Sequence, residues 1–354
     1  VADALDAFNR VLELDSGLSH VQYNRGNALQ KLNKFEDSLE AYDRALKGSV
    51  SSNLRSDILL NKGSALQKLG RPKEAIRLFA EAAEVNHGNL TALMNTGLLL
   101  DRLGHHQNAV ECFDRCLELD PKSSMAHNRK GISFLQLKNA EAAVESFSEA
   151  LKIDSTSHES YENLAKAYCQ MDLVQVAISC YDKMAELQPK SPYPYILKAR
   201  ALEKERDIDN AIVAYDRALE RDHLHIVAWL EKGMMLTHNK RFEEALFSFG
   251  RALKIDPTSE VALYNQGYLL NHQGEPTRAI VCFDLLLKRN PSHKMARCYK
   301  VLALINLKKF VNAIEHADEI IKDHPTDGFA AKLRQLALKE LAVAAEEETA
   351  KSTQ

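Results

Sequence analysis

The sequence predicts an all-α solenoid, a stack of antiparallel helix pairs, and three residue columns carry that prediction. Written in blocks of 34, the chain aligns Ala75, Ala109, Ala143, Ala177, Ala211, Ala245, Ala279 and Ala313 without a slip. One helical turn further on stand Phe79, Phe113, Phe147, Tyr181, Tyr215, Phe249 and Phe283, with Ala317 ending the aromatic column. A third column, upstream of the alanines, holds Gly63, Gly97, Gly131, Ala165, Ala199, Gly233 and Gly267, then Val301. Composition agrees, because Ala, Leu, Glu, Lys and Arg dominate and only 9 Pro and 14 Gly interrupt 354 residues.

Each column has a physical reason. Gly in the first helix removes a Cβ where that helix approaches the second, and the Ala column does the same from the other side. The aromatic lies on the same face as the Ala one turn before it and fills space between neighbouring repeats. Pro121, Pro189, Pro257, Pro291 and Pro325 close blocks, since Pro cannot extend the helix before it but suits the turn that follows. One hairpin cannot bury its apolar face alone, so stacking must supply the core.

In order along the chain, residues 1–18 hold the second helix of a preceding partial repeat, and 19–327 hold nine full repeats. These begin at Ser19, Ser56, Leu90, Ser124, His158, Pro192, Ile226, Glu260 and Lys294. The interval from Gly26 to Gly63 is 37, so three residues are inserted, and the polar run Gly48 to Ser56 predicts a longer surface loop there. Val301 and Ala317 mark the ninth repeat as terminal. Residues 328–345 are expected to form a capping helix and 346–354 a polar, frayed tail. Beginning at Val1 partway through a repeat, the chain reads as a segment of a longer polypeptide.

These columns resemble the tetratricopeptide repeat family, helix-turn-helix units with Gly or Ala in the first helix, Ala and an aromatic in the second, and Pro at the repeat end. The resemblance implies a right-handed superhelix whose first helices line a concave groove. It implies a protein-protein interaction scaffold that binds a peptide or protein segment in that groove.

Other classes find little support. A formal net charge of −3 and a pI near 6.5 give no basic surplus for nucleic acid. Apolar runs such as Met94 to Leu100 are too short for membrane insertion. Cys112, Cys180 and Cys282 share one repeat position in non-neighbouring repeats, so a reducing, intracellular and cytoplasmic setting is expected. His105, His106, Cys112 and Cys116 raise the question of zinc, but the two cysteines occupy packing columns held elsewhere by Ala41, Ala214, Ala150 and Ala252. Trp229, the only Trp, falls where the family packs one between helices. With no phosphate loop or nucleophile elbow, neither an enzyme nor a cofactor is expected.

The resemblance places positions 2, 5, 6, 9, 12 and 13 of each first helix on the groove. Position 6 reads Asn24, Asn61, Asn95, Arg129, Asn163, Leu197, Glu231, Asn265 and Tyr299. Asn is a poor helix former, so its recurrence wants a cause, and its amide can both donate to and accept from a peptide backbone. The row is similar to the asparagine ladder of O-linked N-acetylglucosamine transferase repeats, though Arg129, Leu197, Glu231 and Tyr299 interrupt it. A chaperone-type carboxylate clamp fits poorly: Tyr23, Asn27, Asn61, Thr91 and Asn95 hold its places from Ser19, and Leu60, Ser64, Asn95, Met125 and Arg129 from Ser56.

Along the groove the character changes from polar to apolar. His20, Asn27, Gln30, Asp57, Ser64 and Gln67 give way to Val227, Leu230, Met234, Val261, Tyr264, Tyr268, Met295, Leu302 and Ile305. The candidate partner-binding residues are therefore Asn24, Asn61, Asn95, Arg129, Asn163, Asn265, Leu230, Met234, Tyr264, Tyr268 and Leu302. A structural spacer or self-association module is the rival reading, and a ligand- or metal-binding enzyme a more distant one.

Overall fold

The computed structural model describes residues 1–326 and 328–352, and every regular element among them is a helix. Contacts divide the chain into two units, Val1–Leu187 and Gln188–Gln354.

In the first unit a lone helix α1 (Ala2–Leu14) precedes five pairs. These are α2 (Ser19–Lys31) with α3 (Phe35–Lys47), α4 (Ser52–Lys68) with α5 (Pro72–Val85), and α6 (Leu90–Arg102) with α7 (His106–Leu119). Next come α8 (Ser124–Gln136) with α9 (Ala140–Ile153), and α10 (His158–Gln170) with α11 (Val174–Leu187). The second unit pairs α12 (Tyr193–Lys204) with α13 (Ile208–Arg221), and α14 (Ile226–His238) with α15 (Phe242–Ile255). It continues with α16 (Glu260–His272) and α17 (Pro276–Arg289), then α18 (Lys294–Asn306) and α19 (Phe310–Asp323), and ends on α20 (Gly328–Ser352). Within each unit every helix packs on the next.

The small and aromatic columns meet within each repeat. A Cβ built on Gly63 would lie 2.6 Å from the Phe79 ring, one on Gly131 2.6 Å from Phe147, and one on Gly267 2.8 Å from Phe283. The ring therefore covers the bare backbone of its own repeat, besides touching the next: Phe79 also packs with Leu66 and Leu99. Phe79, Phe113, Phe147, Phe249 and Phe283 are fully buried, as is the Ala column.

A second repeating device is invisible as a residue column. The residue after each first helix's cap adopts a left-handed backbone: Asn33, Lys138, Asp172, Arg206, Lys240 and Lys308 at φ 58 to 61°, and Gly70, Gly104 and Gly274 at φ 74 to 85°. The next amide then reaches back five residues, as Arg71 N–H does to Leu66 O at 2.9 Å and Arg241 N–H to Leu236 O at 2.9 Å. This is the Schellman closure, for which Gly is the least strained residue. Ion pairs add a third tie, from a second helix to the following first helix: Lys62 to Asp43, Lys130 to Asp114 (2.6 Å), Lys232 to Asp216 (2.5 Å) and Lys300 to Asp284 (2.8 Å).

Two expectations need correction. The inserted residues do not form a longer loop; they lengthen α4, which starts at Ser52 and runs 17 residues against 13 for α2. Ser51 caps it by accepting the Leu54 N–H, and Leu54 packs against Tyr42, Ala45 and Ile58, so the extra turn buries apolar surface. The last helix does not end at residue 345 either: α20 continues to Ser352, in a stretch whose Glu, Ala and Lys residues favour helix. Thr353 and Gln354 lie outside the described residues.

α20 behaves as a first helix without its second. Ala330, Leu333 and Ala337 join the core of Val301, Leu304, Ala313, Ala317 and Ile320, and Arg334 repeats the ion pair with Asp318 at 2.5 Å. Gln335 stands in the Gly column, and it is exposed.

A chain ending at Asp327 leaves Val301, Ala317 and Ile320 bare, and it should aggregate or melt well below the parent in size-exclusion and thermal scans. Changing Lys240→Gly or Lys308→Gly should raise unfolding free energy by about 0.5 to 1 kcal/mol each in urea titration, because the left-handed backbone no longer carries a Cβ.

Candidate functional site

The first-helix face of the Val1–Leu187 unit is an amide network. Asn61 Nδ2 donates to the Tyr23 hydroxyl and to Asn27 Oδ1, each at 3.0 Å, and the Tyr42 hydroxyl also donates to Asn27 Oδ1 at 2.7 Å. Gln30 Nε2 donates to the Asn61 carbonyl at 2.6 Å. Asn163 is buried and donates to Asn128 Oδ1 at 3.3 Å, where the Ser160 hydroxyl also donates. Arg129 pairs with Glu159 at 3.5 Å. Asn24 is exposed, and Asn95 is half-buried without a hydrogen bond among the described residues. The Asn positions are thus not equivalent rungs: Asn61 and Asn163 tie adjacent first helices together, while Asn24 and Asn95 face outward. An open groove of about 420 Å³ runs between α2 and α4, lined by Asn27, Gln30, Lys31, Asn61, Ser64 and Lys68 among others.

The corresponding face of the Gln188–Gln354 unit is apolar and aromatic. Val227, Met234, Val261 and Met295 are 39 to 44% exposed, although the opposite faces of their helices bury Trp229, Met235, Leu263, Leu269 and Val301. Tyr264, Tyr268, Leu230 and Leu302 are half-buried. Tyr299 gathers this cluster, with ring centroids 5.9 Å from Tyr264, 5.2 Å from Tyr268 and 6.1 Å from Phe329. His293 sits beside Tyr264 at 5.5 Å. Burial first, then the neighbouring Tyr299 and Tyr268, pushes the Tyr264 phenol up to about 12, so it keeps its proton at neutral pH. Tyr268, Asn271, His272, Tyr299, Leu302 and Asn306 line a groove of about 270 Å³, whose floor is braced by Asn306 Nδ2 donating to Asn271 Oδ1 at 3.0 Å. Asn265 turns back on its own helix, donating to Val261 O at 2.7 Å.

Glu231, at the ladder position, is a residue whose role sequence reasoning missed. Arg200 grips it with two bonds of 2.8 and 2.5 Å, joining α12 to α14. An Arg and a Glu on neighbouring groove positions were the available signal.

Other flagged residues find packing roles. Trp229 is buried, donates Nε1–H to His223 O at 3.0 Å and meets Phe247 edge-on at 6.0 Å. Cys116 is buried, which pushes its thiol up to about 11, and His106 turns to Asp101 at 2.7 Å. Among the described residues no three His, Cys, Asp or Glu side chains converge on a point, and no helix is long and apolar enough to cross a membrane.

Comparison with known proteins agrees with the fold. The tetratricopeptide repeat C-terminal part of a protein from Cytophaga hutchinsonii is 16% identical, covering 75% of this chain and 93% of that one, with a TM-score of 0.53. A tetratricopeptide repeat protein from Parabacteroides merdae is also 16% identical, covering 71% and 98%, with a TM-score of 0.52. YrrB, a TPR protein with an unusual peptide-binding site, is 22% identical over 52% of this chain and 95% of its own, with a TM-score of 0.41. None of the curated proteins matches the chain. Tetratricopeptide repeat models match residues 19–47, 54–122, 94–158, 196–260 and 248–281. Together with the helix pairs, the Gly-aromatic contacts and the repeated closures, these matches place the chain in the tetratricopeptide repeat family.

Proposed function

We propose that the chain is a protein-interaction scaffold that holds a peptide or protein segment along the groove lined by its first helices. One observation carries this reading: Val227, Met234, Val261 and Met295 keep large apolar side chains exposed on helices whose other face is already core. Such a row on a repeat protein is a contact surface in want of a partner, and Met and Tyr suit adaptable, anchoring contacts. Tyr268 and Tyr264 form the centre of that contact, with Leu230, Met234 and Leu302 around them. In the Val1–Leu187 unit, Asn24, Asn95 and Arg129 offer hydrogen bonds to a partner's backbone, supported by the family to which the chain belongs. No reaction, metal or cofactor enters this reading.

The test is to pan a phage-displayed library of random short peptides against the chain and measure the selected peptides by titration calorimetry. Tyr268→Ala should weaken them by about 2 kcal/mol, roughly a thirtyfold rise in Kd. Selected peptides indifferent to Tyr268→Ala and to Met234→Ala would remove the apolar row from the site. The amide positions separate by stability: Asn61→Ala should cost about 1 kcal/mol in urea unfolding, because it strips bonds from Tyr23 and Asn27. Asn95→Ala should leave stability unchanged within a few tenths of a kcal/mol.

A further inference from the structure

The groove between α16 and α18 has aromatic walls and a polar floor that is only half satisfied. Tyr268 and Tyr299 stand at 85° to one another with ring centroids 5.2 Å apart, and with His272 and Leu302 they line a space of about 270 Å³. At its floor lie two carboxamides, Asn271 and Asn306, joined by the single hydrogen bond from Asn306 Nδ2 to Asn271 Oδ1. That bond engages the acceptor of one amide and a donor of the other. The Asn271 amino group and the Asn306 carbonyl oxygen have no hydrogen bond among the described residues. Asn271 is only 6% exposed, yet its amino group is not sealed in, and it opens on the groove that the residue lines.

Asn271 is position 12 of its repeat and Asn306 position 13 of the next, and no other adjacent repeats place two carboxamides there; the preceding pair is Thr237 with His272. An unpaired donor on one amide and an unpaired acceptor on the amide bonded to it call for a group that carries both functions. A primary carboxamide presents both along one edge. A trans peptide unit points its N–H and C=O to opposite sides, so it meets only one of the two. An apolar side chain would shut water from the Asn271 amino group and leave it unpaired, which is unfavourable. An ammonium or guanidinium would face the same N–H hydrogens with no carboxylate in the lining, and a carboxylate would face the Asn306 oxygen with no Lys or Arg beside it. A Ser or Thr hydroxyl both donates and accepts, but has no plane to lay on the two rings.

We propose that this groove is a subsite for an Asn or Gln side chain of the partner segment. The carbonyl of that side chain accepts from Asn271 Nδ2, its amino group donates to Asn306 Oδ1, and its amide plane lies against the Tyr268 and Tyr299 rings. The subsite deepens the scaffold reading and rests on it, and what it adds is selectivity. An exposed apolar row alone accepts any large apolar side chain, whereas a shielded donor that only a hydrogen-bonding group can satisfy rejects the apolar ones.

Peptides selected from the random library against the intact chain should share an Asn or Gln at one position. Replacing that residue in the peptide by its own acid, Asp or Glu, or by Ala should weaken binding to the unaltered chain roughly tenfold in titration calorimetry, a comparison that needs no protein variant. Asn271→Asp keeps the shape and the acceptor for Asn306 while removing the amino group, and it should weaken the same peptides roughly tenfold. If Asn271→Asp fails to fold, the peptide replacements decide alone. Selected peptides with no shared Asn or Gln, or peptides in which it is replaced without loss, would overturn the proposal. Peptides that depend on Asn271 yet carry no Asn or Gln would mean that the amides hold a backbone, and would overturn it too. In each of these cases weakening by Tyr268→Ala leaves the scaffold reading standing, and indifference to both Tyr268→Ala and Met234→Ala removes the apolar row as well.

Discussion

Contact between a bare helical backbone and an aromatic ring is the constraint on which the rest of the structure depends. With a Cβ at Gly63, Gly97 or Gly131 standing 2.6 to 2.7 Å from the ring opposite, no side chain fits while the two helices keep their distance. That distance sets where each second helix presents its remaining apolar face, and so where the next repeat must stack. Ala165 and Ala199 show the tolerance of the device: each admits one methyl where the facing ring is Tyr181 or Tyr215, and both rings stay buried. The left-handed closures and the Lys-Asp pairs act on a geometry this contact has already fixed.

Because stacking is carried by the second helix and the back of the first, the front of the first helix is released from folding duty. The two units use that freedom differently. Between Val1 and Leu187 the front is largely polar, Met125 apart, and several of its amides and hydroxyls bond to one another across adjacent repeats. Between Gln188 and Gln354 it carries valine, methionine and tyrosine at positions where exposure has no structural benefit. Apolar surface held in water is unfavourable for the isolated chain, at about 25 cal/mol per Å², and that surface is also what association would bury.

Repeat boundaries, helix types and core columns were legible in the sequence because they recur at fixed spacing, and chance does not align Ala75 through Ala313. What stayed hidden depends on neighbours rather than on columns. Six of the nine left-handed turns are occupied by Asn, Asp, Lys or Arg, so the expected glycine signal is absent at Asn33, Lys138, Asp172, Arg206, Lys240 and Lys308. The polar run near Ser51 reads as loop, yet Leu54 has a buried place to go and draws the chain into helix. The candidate site was legible as a face. Which of its residues are already engaged was not, since Asn61 and Asn163 bond to groups on the preceding repeat that a column of single positions does not display.

That engagement changes what each position can offer a partner. Asn61 has directed its amide hydrogens at Tyr23 and Asn27, so toward the groove it presents an acceptor, and a partner there must bring an N–H. Asn95, with no hydrogen bond among the described residues, could meet either an N–H or a carbonyl of a partner. Asp101 is a closed position of the same kind as Asn61, since the Ser133 hydroxyl donates to it and His106 meets it. In a stack whose core columns vary little, the scaffold reading puts specificity in whether a neighbouring helix supplies a partner for each groove residue or withholds one.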